Sequence, residues 1–587
     1  MKNRFAPLLI LLAGCAKMAS SNNPPAADAD RQFDRIAKEY LTGYLAWRPQ
    51  TGTALGFHQY DGKLTDFSRR SLDDELNRLR HFDEKLAALN SSSLSPRTFY
   101  DFRILQAAIK SDRFKFEAMQ SYTKNPMTYA DVIDVNIYIK RDFAPLEARV
   151  RSIIAIEKQA PRVMAAARAN LAQPLPEPFV ETAIEMSRGA ADFLSKDLVT
   201  ALKPLTNEAL RTEFNVANRA AISELQGYAS YLQKLPKSQA SYALGGEKFQ
   251  QMLREGELLT LSPQRILEIG LRELQREQEI FAETAQKIDP SKKPIEVFKE
   301  IQRDHPTEEG LIPETRKNLE AIRQFLIDHK IVTLPSEVRA QVEETPQFMR
   351  ATSFASMDTP GPFETKATEA YYYVTPTEKD WPPAQKEEWL TAFNYYTTDV
   401  VTIHEAYPGH YIQFLALNAS PADQLEKIFT SYAFTEGWAH YSEQMLLDEG
   451  FGANGFRGQA DLIRAAKYRL AQSDEALLRL CRLCVSIKTH CEGMTVDEAT
   501  KFFEQNCYYE HKPARQEAIR GTFDPGYLYY TLGKLQILKL RQDYQREQGP
   551  AYSLQKFHDE MLRHGAPPIR LLRELMLSNR AAWDEVF

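Results

Sequence analysis

Between positions 404 and 443 the chain sets out His404, Glu405, His410, Glu436, His440 and Glu443. Two neutral imidazoles and a carboxylate can hold a catalytic zinc ion, leaving a position open for water and needing only a nearby base. The usual HExxH pattern places its histidines four apart on one helical face, whereas His404 and His410 are six apart. Six residues of unbroken helix leave a net rotation of about 240°, which points the two rings apart. The intervening Pro408 cannot donate to a helical carbonyl, and Gly409 has access to left-handed backbone. The pair is therefore expected to loop out as a bulge within the helix, returning His404 and His410 to one side with Glu405 beside the water to be activated. Glu436 follows His410 by 26 residues and is the candidate third ligand. Glu436, His440 and Glu443 share a helical face, so His440 and Glu443 are either outer partners of the ligands or a competing ligand.

The elements that must position these groups read as helices. Phe33, Ile36, Ala37, Tyr40 and Leu41 recur at helical spacing, as do Leu72, Leu76, Leu79, Phe82 and Leu86. Similar patterns fill 144–171, 182–201 and 208–232, and Ser262 followed by Pro263 predicts an N-cap opening a helix to about Lys287. The expected fold class is mainly α: a large helical body with a deep cleft and a small β-sheet near the site, in an N-terminal half over 31–240 and a C-terminal half over 241–587. Two or three strands are predicted in 348–363 and in the run from Ala370 to Thr375, which holds Tyr371, Tyr372 and Tyr373. Two readings stand for these strands: an edge offered to an extended peptide, or tyrosines that simply pack.

A composition of 43% hydrophobic and 26% charged residues excludes wholly disordered and disulfide-scaffold classes, and a net charge of -6 gives no field that favours a nucleic-acid backbone. Lys2 and Arg4 precede the short apolar run Ala6–Leu12, which makes 1–14 a signal peptide. The sequence Leu12, Ala13, Gly14, Cys15 resembles the bacterial lipobox, so Cys15 is the expected lipidation site and 15–30 the tether. Cys481 and Cys484 form a CxxC with His490 nearby, the spacing of a zinc knuckle or redox motif. Leu477, Leu478, Leu480, Leu483 and Val485 instead favour core cysteines, with one disulfide open to an oxidising compartment.

HEAYPGHYIQ from His404, TEGWAHYSE from Thr435, DPGYLYYTLGK from Asp524, the stretch Gly245–Leu271 and the early Ala54–Ser68 resemble the bacterial family catalogued as domain of unknown function 885. The resemblance covers nearly all of the chain after the signal peptide and implies a fold like the helical zinc peptidases, with a metallopeptidase activity. By position it implies His404, His410 and Glu436 as ligands of one zinc ion and Glu405 as general base. Tyr530, three before Gly533, matches a YxxG pattern and is the candidate donor to the oxyanion, with Tyr527 and Tyr529 as rivals. His490 matches a family histidine, but Ser486 stands where an Asp is usual, which puts an Asp–His relay in doubt. Arg515, Arg520 and Asp524 lie near the Tyr530 loop and fit either a peptide terminus or surface ion pairs. The expected function is zinc-dependent hydrolysis of oligopeptides by a protein held at the outer membrane through its N-terminal lipid, facing the periplasm, with no nucleic-acid partner. A non-catalytic peptide- or metal-binding lipoprotein and a zinc hydrolase of other amides or esters are the alternatives, and an intact Glu405 speaks against the first.

Overall fold

The three- and four-residue apolar spacing resolves into helices along most of the chain. The computed structural model describes residues 25–587 apart from 348–349, 351–352 and 454–460; the signal peptide and Cys15 lie outside the described residues. The longer and site-forming helices are α1 (Pro25–Trp47), α2 (Arg69–Ala88), α3 (Pro96–Glu117), α4 (Leu146–Glu157), α5 (Glu177–Ser195), α6 (Glu208–Gln233) and α7 (Pro263–Ile288). They are followed by α8 (Tyr395–Glu405), α9 (His410–Ala419), α10 (Gln424–Ile428), α11 (Tyr432–Asp448), α12 (Leu462–Cys491), α13 (His511–Phe523) and α14 (Tyr529–Gln548). Helix α1 starts within the segment expected to be a tether, where Asp30 accepts from the Ser95 amide at 2.9 Å. Ser262 caps α7 by accepting from the Arg265 amide, with Pro263 at the first helical position, where its missing N–H costs nothing.

The apolar face of α1, including Phe33, Tyr40 and Leu41, packs with Leu79, Phe82 and Leu86 of α2 and Phe102, Leu105 and Ile109 of α3. Leu425 of α10 closes that cluster, so residues more than 300 apart in sequence share one core. Helix α7 lies against α12 at Gly270, where an added Cβ would sit 2.2 Å from Leu483 and 3.3 Å from the Cys484 sulfur. Cys481, Cys484 and Cys507 are buried and Cys491 half-buried, all as free thiols. Their burial in an apolar interface accounts for the CxxC, and no metal group includes them among the described residues.

The sheet has three short strands, β1 (Gln341–Glu344), β2 (Ala355–Asp358) and β3 (Tyr371–Val374), in the order β1-β3-β2. β1 runs parallel to β3 and β2 antiparallel to it. β1 falls outside the expected strand region because Val342 is its only buried residue and its sequence alternates nothing. Tyr372 is buried with its hydroxyl 3.1 Å from Thr402 Oγ1 of α8, and Tyr371 stacks on Tyr373 on the opposite face. The tyrosines thus pack the sheet onto α8, while β2 is left with an edge that no strand among the described residues pairs.

A cleft of about 470 Å³ opens between the halves, with Tyr44, Ile104 and Ala107 on one wall and Met252, Phe429 and Tyr432 on the other. No helix among the described residues is long and apolar enough to cross a membrane.

Candidate metal centre

Helix α8 ends at Glu405 and α9 begins at His410, so the two-residue bulge expected inside one helix is a full break between two. Gly409 is not left-handed, with φ -59°. What it supplies is closeness: a Cβ there would lie 1.7 Å from the His404 carbonyl oxygen. Its amide donates to Ile403 O at 3.0 Å, and the Trp438 indole donates to Pro408 O at 2.9 Å and Gly409 O at 3.2 Å. Trp438, buried in α11, thereby fixes the break from the helix that also carries Glu436.

The break brings the imidazoles together, with ring centroids 4.9 Å apart. Glu436 Oε2 lies 3.5 Å from His404 Nε2 and 3.7 Å from His410 Nε2. The three donor atoms fall within 4.8 Å of one another. Tetrahedral zinc with bonds of roughly 2.0–2.1 Å separates its ligands by about 3.4 Å, so the spacing fits such an ion. Glu436 Oε2 is buried without a hydrogen-bond partner, the condition expected of an atom reserved for a ligand.

Glu443 stands behind the donor group, on the Nδ1 side of His404. It accepts from His404 Nδ1 at 2.6 Å and from His440 Nδ1 at 3.0 Å, and Arg479 stands 3.3 Å away. Burial opposes its charge, but Arg479, His440 and His404 hold its carboxyl well below the usual range. A carboxylate on Nδ1 fixes the ring so that Nε2 faces the ion. Burial and nearby Lys534 keep His440 neutral, with its pKa down at about 3. For His404 burial works against the charged form, yet Glu436 and Glu443 outweigh it and raise the pKa to about 10. Glu436 is held down at about 2, its burial overcome by the two histidines.

Glu405 Oε2 accepts from the Met357 amide at 3.0 Å. Ser356 and Asp358 sit in the β2 positions that bond to β3, as the Thr375 amide bonding to Phe354 O requires, so Met357 presents its backbone along the unpaired edge. The candidate base therefore touches that edge. Nothing in the sequence marked Met357, since an edge amide carries no side-chain signal.

Of the three rival tyrosines, Tyr527 and Tyr529 are buried and Tyr530 is half-buried. Tyr530 lies 5.8 Å ring to ring from Tyr432, with the guanidiniums of Arg479, Arg482 and Arg520 at 5.8, 5.2 and 6.0 Å from its ring centroid. It reaches the ligand shell through Arg479 and Glu443, and through Tyr432 one turn before Glu436. Arg520 pairs with Asp524 and donates to the Tyr432 hydroxyl, whereas Arg515 pairs with exposed Asp497, away from this group. Arg479 and Arg482 escaped sequence reading, although two arginines inside the apolar run 477–487 were the available signal. Gly533 and Gly437 meet where α14 crosses α11, and a Cβ on Gly533 would lie 1.8 Å from Ala433 O. The motif carrying Tyr530 is thus mated to the one carrying Glu436.

His490 does not join the site. Its Nε2 donates to Gly521 O at 2.8 Å and its Nδ1 faces the Leu244 amide, tying the 236–245 segment to α13. Burial lowers its pKa to about 4. Ser486 bonds to Pro525 O at 2.7 Å, so no Asp–His relay exists here.

This is a helical chain with a His, His, Glu donor group at a helix break, and it belongs to the bacterial family of proteins of unknown function DUF885, whose pattern matches residues 49–576. The chain is similar to the structure of a predicted lipoprotein of unknown function from Shewanella oneidensis, at 25% identity and a TM-score of 0.75, over 93% of this chain and all of that one. It also shares its fold with a predicted lipoprotein from Colwellia psychrerythraea, at 18% identity and a TM-score of 0.75, over 96% and 99% of the two chains. No curated protein matches it.

Proposed function

We propose that the protein is a zinc-dependent metallopeptidase that hydrolyses oligopeptides. The observation that carries this reading is the convergence of His404, His410 and Glu436 with Glu405 set against the free edge of β2. His404, His410 and Glu436 would hold a zinc ion, which when bound would supply Lewis acidity toward a carbonyl and a water.

The protein's own groups do the rest. An extended peptide adds to β2 by main-chain pairing, which lines its backbone along the edge. That pairing favours peptides over other amides and esters. Glu405 takes the proton of the attacking water and returns it to the leaving amine. Tyr530 donates its hydroxyl to the developing oxyanion, and the Arg482 and Arg520 charges beside it favour that donation. His440, kept neutral, and Glu443 hold His404 in orientation.

The Cys15 motif, together with the similar lipoprotein from Shewanella oneidensis, supports a lipid-anchored protein of the bacterial envelope; placing it at the outer membrane, facing the periplasm, rests on the Cys15 motif alone. Glu405→Gln is expected to retain metal and to lose roughly 10²–10⁴-fold in turnover. Metal analysis of the purified protein and digestion of a peptide library by both forms provide the test; undiminished cleavage by the variant removes Glu405 from the role.

A further inference from the structure

A second group of acidic side chains, separate from the histidine group, brings Asp101 of the N-terminal half to Asp423 and Glu426, which lie between His410 and Glu436 in sequence. Asp101 is on α3, while Asp423 caps α10 and Glu426 lies in its first turn. One oxygen from each falls within 4.8 Å of the others. Glu426 is 1% exposed and Asp101 6%. Each has one buried oxygen, Glu426 Oε1 and Asp101 Oδ1, that finds no hydrogen-bond partner.

The second oxygens of Glu426 and Asp101, and Oδ1 of Asp423, are already used. Glu426 Oε2 accepts from the Asp423 amide and from Arg97, and Asp423 Oδ1 accepts from the Leu425 and Glu426 amides. Asp101 Oδ2 lies 3.6 Å from Arg97. Three carboxyls converge where Arg97 pairs with only two of them, Asp101 and Glu426, and burial together with Asp423, Glu426 and Asp34 pushes Asp101 up to about 8. Buried carboxylates without partners are costly, and they are ordinarily paired, protonated or metal-bound.

We propose that Asp101, Asp423 and Glu426 bind a hard divalent cation, Ca2+, independently of the histidine site. All-oxygen donors select Ca2+ or Mg2+ over zinc, and Ca2+–O bonds of roughly 2.3–2.6 Å let opposed ligands stand up to about 5 Å apart. The exposed side of Asp423 admits the waters that complete the shell. Such an ion ties α3 to α10. The chain then runs through Phe429 and Ser431, which line the cleft, into α11 and Glu436. The ion's structural task is to hold the cleft wall from which the chain enters α11.

The test uses the full chain, stripped with a chelator and titrated with Ca2+ while its melting temperature is recorded, and with Tb3+ while its luminescence is excited through tyrosine, Tyr100 being adjacent. Millimolar Ca2+ is expected to raise the melting temperature by several degrees and to displace the Tb3+ signal. Asp101→Asn and Glu426→Gln are each expected to lose both responses while remaining folded, since each removes an unpaired buried charge. A melting temperature indifferent to Ca2+, or a shift of equal size in both variants, overturns the proposal. So does a stability that falls with rising pH identically with and without Ca2+, because a shared proton then occupies the place assigned to the cation.

Discussion

Replacing Gly409 with Ala tests the geometry at the helix break. The new Cβ would lie 1.7 Å from His404 O, 2.4 Å from His404 C and 2.5 Å from Ile403 O. Contacts of a real Cβ begin near 3.0 Å, so the chain at 409 must retreat by about 1.3 Å, a shift that overpacking makes costly by roughly 1–3 kcal/mol. The retreat breaks the Gly409 amide bond to Ile403 and strains the Trp438 indole bonds to Pro408 and Gly409. It also carries His410, the next residue, away from His404 and Glu436. Metal sites tolerate displacements of only about 0.2 Å in ligand distance, so metal affinity should fall by more than the roughly 10–100-fold that losing an outer partner costs. Competition with a fluorescent zinc chelator measures the affinity, and circular dichroism and a thermal melt report the fold. Gly189→Ala, in α5 with nothing within 4 Å of the added Cβ, is the control and should be neutral or stabilising by about 0.5–1 kcal/mol. Wild-type zinc affinity in a folded Gly409→Ala protein would falsify the claim that this glycine sets the distance between the two histidines.

Two further outcomes depend on pH. Because metal-free His404 holds its proton up to about pH 10 and Glu436 is ionised above about pH 2, ligation must expel one proton from His404. Zinc affinity should therefore rise about tenfold per pH unit between pH 6 and 8, and calorimetry in buffers of different ionisation enthalpy should show one proton released; a pH-independent affinity rules out His404 as a ligand. Burial raises Glu157 on α4 to about 8, only partly offset by the Asn218 amide donating to one of its oxygens, while the other oxygen has no partner. The folded state thus keeps this proton to higher pH than the unfolded chain, so its contribution is intact below about pH 4.5 and is lost as pH rises toward 8. Glu157→Gln should remove a penalty of about 3–5 kcal/mol at pH 8 and flatten the fall in melting temperature between pH 5 and 8; an unchanged slope would assign that fall to other groups.

Much of the helical framework was legible because amphipathic periods report which face is buried, whatever it is buried against. The capped start of α7 at Ser262 is a local hydrogen bond and could be read as such. β1 was not legible, since one buried valine among polar residues gives no alternation, and its place is set by pairing with β3. The three tyrosines illustrate a middle case: their β propensity was plain, but their division between the α8 side and the opposite face is settled by the register of the sheet. The role of His490 is likewise settled by packing. A histidine beside a CxxC offers ligand types, yet its two ring nitrogens are spent on Gly521 and Leu244.

The bare sequence specifies the helical class, the family signature and the identity of the groups able to do chemistry, because these rest on residue type and short-range spacing. It also determined that an ordinary helix was impossible across Pro408 and Gly409. How the break is held depends on packing, since Trp438 reaches it from another helix. The same is true of Glu443 on His404, of Met357 on Glu405 and of the three carboxylates from α3 and α10. Each is a contact between segments whose separation in sequence carries no period, so it exists only once the helices have packed.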